Sequence, residues 1–149
     1  MTKVILYTDG ACLGNPGAGG YAGLLMYGDF QKTYSGSEKH TTNNRMELKA
    51  AIEGLKMLTR ASVVDVYTDS QYVRMGITSW MAAWKRKGWV KADKKPVKNV
   101  DLWKELDVEA DRHTIAWHWV KGHSGVWQNE KVDQLAREAA LLAKEGEHG

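Results

Sequence analysis

Two segments of the chain end alike: ILYTDG, closing at Gly10, and DVYTDS, closing at Ser70. Each is a short run of β-prone residues that delivers an aspartate, Asp9 or Asp69, to the point where the run breaks. If the two strands lie side by side and parallel, both carboxylates emerge at one edge of a sheet. In open α/β sheets the carboxyl edge is the usual place for a ligand. The repeated ending therefore points to one acidic pocket built from two distant pieces of chain.

The segments around these endings fit such a sheet. Residues 4–8 read as the first strand, with turn signals at Gly14-Asn15-Pro16-Gly17 and again at Gly19-Gly20. Strands over 21–27 and 31–35 follow, joined at Gly28-Asp29 as a hairpin. Thr and Asn residues at 41–44 then open a helix whose Leu48, Ala51, Ile52, Leu55 and Leu58 recur at helical spacing. Glu47 lies beside that stripe, above Ala50, Ala51 and Gly54, small residues that let the helix approach the sheet and aim Glu47 at a strand end. Residues 63–68 form the next strand, and the strand–helix–strand unit favours a parallel, right-handed crossover. Helix is expected over 70–87, in two pieces broken near Gly76, and again over 99–109. A strand over 113–121 carries Ile115, Trp117 and Trp119 on one face. A last helix over about 129–144 buries Val132, Leu135, Ala136 and Ala139.

The 149 residues suit a single domain, with 145–149 expected as a disordered tail. No stretch approaches the roughly 18 apolar residues needed to span a bilayer. The N-terminal apolar run is too short for a secretory signal, so a cytoplasmic protein is expected. Cys12 is the only cysteine, which excludes an intrachain disulfide or a cysteine-rich zinc site. The net charge of +3 hides a local excess: Lys85, Arg86, Lys87, Lys91, Lys94, Lys95 and Lys98 stand against Asp93 alone. Such a cluster suits a polyanionic partner, although charge runs are also common on solvated loops.

Glu47 can overhang the edge where Asp9 and Asp69 emerge. Asp133, bordering the small residues Ala136 and Ala140, can face it from the last helix. Carboxylates gathered without a cation repel one another and raise their own pKa values; a bound divalent metal keeps them ionised. All-oxygen ligation suits Mg²⁺ or Mn²⁺, and two ions sharing a bridging aspartate form a known arrangement for phosphodiester cleavage. Each acid also has an ordinary reading. Asp9-Gly10 is a turn signal, Asp69 a helix N-cap, Asp133 a first-turn acid and Glu47 a solvated helix residue.

In these residues the chain resembles type 1 ribonuclease H of the bacterial kind. The motifs are YTDGACLGNPGAGGYAG, TTNNRMELKAAI, YTDSQYVRMGI, WKRKGWVKADKKPVKNVDLW and WHWVKGHSG followed by NEKVDQLAR. The resemblance covers almost the whole chain. It implies a ribonuclease H-like α/β fold, a five-stranded mixed sheet with three antiparallel strands and then parallel ones, flanked by helices. It implies endonucleolytic hydrolysis of the RNA strand of RNA/DNA hybrids, giving 5′-phosphate and 3′-hydroxyl ends. A monomer with no obligate protein partner is the default expectation, since the sequence offers no compelling oligomer interface. Asp9, Glu47, Asp69 and Asp133 would be the metal-binding carboxylates, holding Mg²⁺ or Mn²⁺, with two ions present once substrate is bound.

The histidine matching His123 assists turnover in the family, as a proton carrier or by helping product leave. The stretch with Trp80, Trp84, Lys85, Arg86 and Lys87 resembles the family's substrate-binding protrusion, where cations neutralise phosphates and aromatic faces lie against sugars or bases. Trp80 is the better candidate for the DNA strand; Trp84, one helical turn on, also fits core packing, as does Trp103. Thr42 and Asn99 would hold a DNA phosphate. Asn15, Asn43, Asn44 and Gln71 are amides near the acidic edge that suit minor-groove contacts, or else turns and caps. Recognition by 2′-hydroxyls needs no base identity, so little sequence preference is expected. One departure stands out: the loop after His123 reads SGVWQ, where the family's pattern has a second histidine and a proline.

Other classes make different demands. A binding module without catalysis keeps the basic stretch but has no use for all four acids. An aspartyl-phosphate enzyme needs a nucleophilic aspartate and usually a nearby lysine, and the opening hairpin fits it poorly. Integrase-like and resolvase-like nucleases share acidic triads but act on other substrates.

Overall fold

The computed structural model describes residues 3–122 and 125–146. Five strands form one mixed sheet in the order β3-β2-β1-β4-β5: β1 (Val4–Leu13), β2 (Gly17–Tyr27), β3 (Phe30–Thr41), β4 (Val63–Thr68) and β5 (Thr114–Trp119). The first three pair antiparallel; β4 joins β1, and β5 joins β4, in parallel. The helices are α1 (Asn43–Lys56), α2 (Gln71–Met75), α3 (Met81–Arg86), α4 (Val100–Asp111) and α5 (Trp127–Gly146), with a π-helical turn (Gly76–Trp80) between α2 and α3. No helix is long and apolar enough to cross a membrane. The expected five-stranded mixed sheet with flanking helices is what forms.

Period-two alternation assigns the helices to the two faces. On β1, Leu6 enters the main core with Leu48, Ile52 and Leu55 of α1, while Tyr7 turns the other way, toward Leu24 and Val132 of α5. On β4, Val64 and Val66 are fully buried on the α1 side. Asp65, on the other face, is bound by His118 at 2.9 Å and Lys3 at 3.3 Å, and the His118 bond chiefly holds its carboxyl below the usual range. Side chains fix the helix starts: Thr42 caps α1 by accepting from the Arg45 N–H at 3.3 Å, and Ser70 caps α2 by accepting from Val73 N–H at 3.1 Å.

Three local expectations are corrected. The first three strands run well past their expected ends. β1 does not stop at Thr8 but continues through Asp9↔Ala22 to Leu13↔Ala18, because β2 offers it a partner where β4 has already ended. Gly19-Gly20 is strand rather than turn. These glycines admit other elements: a Cβ at Gly20 would strike the Ala136 carbonyl and stand 2.6 Å from the Ala140 nitrogen of α5. Gly76 does not break the 70–87 helix. It opens the π-helical turn and lies flat against the fully buried Trp103 ring, in space a side chain would occupy.

Candidate active site

Parallel pairing of β1 with β4 ends at Tyr7↔Tyr67, so Asp9, within β1, and Asp69, one residue past β4, stand just beyond it. Their shared position follows from the register, as the doubled phrase anticipates. Asp9, however, sits inside a continuing strand. Its Oδ1 accepts the Gly10 N–H at 2.9 Å, and its carboxyl meets that of Glu47 on α1. Gly10 makes this possible. A Cβ there would lie 2.5 Å from the Glu47 nitrogen and from the Met46 carbonyl carbon, so only a bare backbone lets β1 touch the helix at the turn that carries Glu47.

Asp9, Glu47 and Asp69 each offer an oxygen within 4.8 Å of the others. Asp9 is 3% exposed and Glu47 5%, which overturns the turn and solvated-helix readings. Ser70 occupies the cap of α2, which leaves no such role for Asp69. Asp133 lies in the second turn of α5, beyond the reach of a first-turn dipole acid. It stands at the pocket rim, where its carboxylate accepts from Arg137 at 2.6 Å and touches the Asp9 side chain.

The electrostatics of this cluster are unfavourable without a cation. Burial first, and the Asp69 charge second, push the Asp9 carboxyl up to about 8. Glu47 is raised well above the usual carboxylate range by burial and by the charges of Asp9 and Asp69. Its Oε1 is buried without a hydrogen-bond partner. An orphaned carboxylate oxygen beside two further carboxylates, all hard oxygen donors, fits a divalent cation of the Mg²⁺ or Mn²⁺ kind.

The pocket measures about 490 Å³, and Asn43, Asn44 and Gln71 line it with the acids. Asn15 is tied in from the β1–β2 connection, its Oδ1 accepting the Asn43 N–H at 3.1 Å. Gly122 lies against the Asp69 carboxyl, so the chain approaching His123 passes over this acid. His123 itself lies outside the described residues.

Next to the pocket, Asn99 adopts a left-handed conformation (φ 60°) before α4. Its Nδ2 donates to the Tyr72 hydroxyl at 3.0 Å, and its Oδ1 accepts from Arg45 at 3.3 Å. Arg45 also makes a two-point pair with Asp101, at 3.0 and 2.7 Å. Thr42 and Asn99 are thus drawn together by Arg45, a residue that carried no weight in the sequence; the run NNRMEL was its only signal. Trp80 is 36% exposed and leans on Tyr72 and Trp84, whereas Trp84 packs edge-on against the buried Trp103. The two tryptophans thus differ in exposure and packing, and Trp103 lies in the core. Arg86 and Lys87 are exposed, but Lys85 is paired with Asp107 at 3.1 Å.

Against known proteins, the profile described as RNase H matches residues 1–141. A Ribonuclease H of Marinobacter nauticus is 65% identical over 134 residues, covering 90% of this chain and 91% of its own. One from Nitrobacter hamburgensis is 58% identical over 144 residues, covering 97% and 95%. Among solved structures, LC9-RNase H1, a type 1 RNase H with the type 2 active-site motif, superposes with a TM-score of 0.86 at 33% identity, covering 95% of this chain and 74% of that one. LC11-RNase H1, solved in complex with an RNA/DNA hybrid, shares the fold at a TM-score of 0.70 and 21% identity, covering 94% and 98%. With a profile matched over nearly its full length and relatives this similar end to end, the chain belongs to the RNase H family.

Proposed function

We propose that this protein is an endoribonuclease that hydrolyses the RNA strand of RNA/DNA hybrids, with Asp9, Glu47, Asp69 and Asp133 forming its divalent-cation cradle. One observation carries the reading: two buried carboxylates and a third lie within 4.8 Å of one another, and one Glu47 oxygen has no partner. The names of its relatives, and the hybrid bound to LC11-RNase H1, support the substrate class. Two ions, Mg²⁺ or Mn²⁺, supply Lewis-acid stabilisation of the phosphate's developing charge when bound.

The chain's own residues do the rest. Asp9 and Glu47, locked between β1 and α1, keep the donor oxygens in fixed positions, so little reorganisation accompanies the reaction. Asn15, Asn43, Asn44 and Gln71 present amides to minor-groove 2′-hydroxyls, the feature that separates RNA from DNA. Thr42 and Asn99 form the DNA-phosphate seat. Trp80 offers an exposed ring to the deoxyribose strand, with Trp84 behind it. Lys85, Arg86 and Lys87 draw the duplex in through its phosphates. His123 serves as proton carrier or aids product release, and cleavage leaves 5′-phosphate and 3′-hydroxyl ends. The protein works as a cytoplasmic monomer.

A panel of labelled substrates tests this. With Mg²⁺, the hybrid is cut on its RNA strand, while single-stranded RNA and double-stranded DNA stay intact. Chelation stops cutting and metal restores it. Metal-independent cutting, or equal cutting of single-stranded RNA, would contradict the reading.

A further inference from the structure

A second groove opens beside the acidic pocket, between α2 with its π-helical turn and the edge strand β5. It encloses about 430 Å³, and Arg74, Ile77 and Thr78 face Trp117 and Trp119 across it. The sheet order β1-β4-β5 sets Asp69 between this groove and Asp9. Contact is direct, since the Trp119 indole N–H donates to the Asp69 carbonyl oxygen at 3.3 Å. Trp119 is 41% exposed, unlike the core-packed Trp117 two residues earlier. The Arg74 guanidinium sits over its ring, 5.2 Å from the centroid. No carboxylate lines the groove, and Arg74 forms no salt bridge among the described residues.

An exposed indole and an unneutralised guanidinium in one slot match the two halves of a nucleotide, an aromatic base and a phosphate. The same helical segment also separates two surfaces. Trp80 contacts Tyr72 and Trp84 on the side of Asn99, which donates to Tyr72, whereas Arg74 contacts Trp119. We infer that the Arg74–Trp119 groove is a subsite for one nucleotide of the RNA strand flanking the cleaved phosphate. Its base lies against Trp119 and its phosphate on Arg74. This rests on the hybrid-hydrolase reading, because a strand crossing Asp69 away from Asp9 runs directly into the groove.

The test combines kinetics with cross-linking. Trp119→Ala and Arg74→Ala each raise KM for a long hybrid about ten-fold, the scale of one lost base stack or phosphate contact, and leave kcat within about two-fold. Trp119→Phe keeps a ring without the indole N–H and stays near the parent KM. Unchanged KM in the alanine variants would overturn the proposal. So would a fall in kcat that Phe does not rescue, which would make Trp119 a support for the Asp69 backbone.

Independently, Asp9→Asn protein with Mg²⁺ is irradiated with hybrids carrying one 4-thiouridine in the RNA strand or one 4-thiothymidine in the DNA strand. Cross-links to Trp119 or its neighbours from a single RNA position support the subsite. Cross-links from the DNA strand, or none there, overturn it. Failure of the parent protein to cut hybrid sinks the hydrolase reading instead, and the cross-linking still reports on the groove.

Discussion

Replacing Asp9 with Asn lowers hybrid cleavage about 10³-fold or more while leaving hybrid binding within a few-fold of the parent. The change removes one charge from the proposed cation cradle. Metal-borne stabilisation of the reacting phosphate is worth several kcal/mol, and each ~1.4 kcal/mol is ten-fold in rate. On the proposed reading binding rests elsewhere, on Thr42, Asn99, Trp80 and the cations Lys85, Arg86 and Lys87. Single-turnover cleavage set beside equilibrium binding separates the two effects. Equal loss of both would mean that Asp9 holds the fold together.

The same substitution has an opposite effect on stability. In the metal-free protein the Asp9 carboxyl titrates at about 8, above its unfolded value near 4, so its protonated form favours the folded state. That contribution is complete at acid pH and is lost as pH rises through about 8. Asp9→Asn, which cannot ionise, is therefore more stable than the parent in chelator at pH 9, by several degrees in Tm, with the gap closing toward pH 4. Adding Mg²⁺ raises the parent's Tm far more than the variant's. A gap that widened toward acid pH would show that Asp9 stays charged in the folded protein.

Gly10→Ala is the second large effect. Its new methyl group meets the α1 backbone at Met46 and Glu47 rather than a flexible side chain. Overpacking of this kind costs about 1–3 kcal/mol, visible as a lower urea midpoint. Relief comes only by moving β1 and α1 apart, which draws Glu47 from Asp9. A displacement of about 1 Å at reacting groups costs on the order of 100-fold in rate. Gly10→Ala should lose activity well beyond its loss of folded protein. If kcat per folded molecule is unchanged, the close approach does not set the site.

These effects also mark how far the sequence could be read. Strand and helix assignments depend on neighbours two to four residues apart. The β-branched and aromatic run VVDVYT and the Leu48–Ile52–Leu55 stripe therefore specified β4 and α1. The doubled Tyr-Thr-Asp specified that two acids share an edge, because parallel register carries equivalent positions to equivalent heights. Glycine was where local reading failed. Gly19, Gly20 and Gly76 look like punctuation in a window of ten residues, yet they answer to Thr41, to α5 and to Trp103, each far away in the chain.

Residue identity alone determined which groups were available: four carboxylates, a tract of cations interleaved with tryptophans, and the strands and helices that carry them. Tertiary structure alone decided which carboxylates lose their water. Burial of Asp9 and Glu47, the orphaned Glu47 oxygen, the seating of Asp133 at the pocket rim and the placement of Trp119 against Asp69 arise where β1 meets α1, where α5 crosses β2 and where β5 lines up beside β4. The reason is physical. Desolvation and charge repulsion depend on distances between groups tens of residues apart, and those distances exist only once the elements have packed.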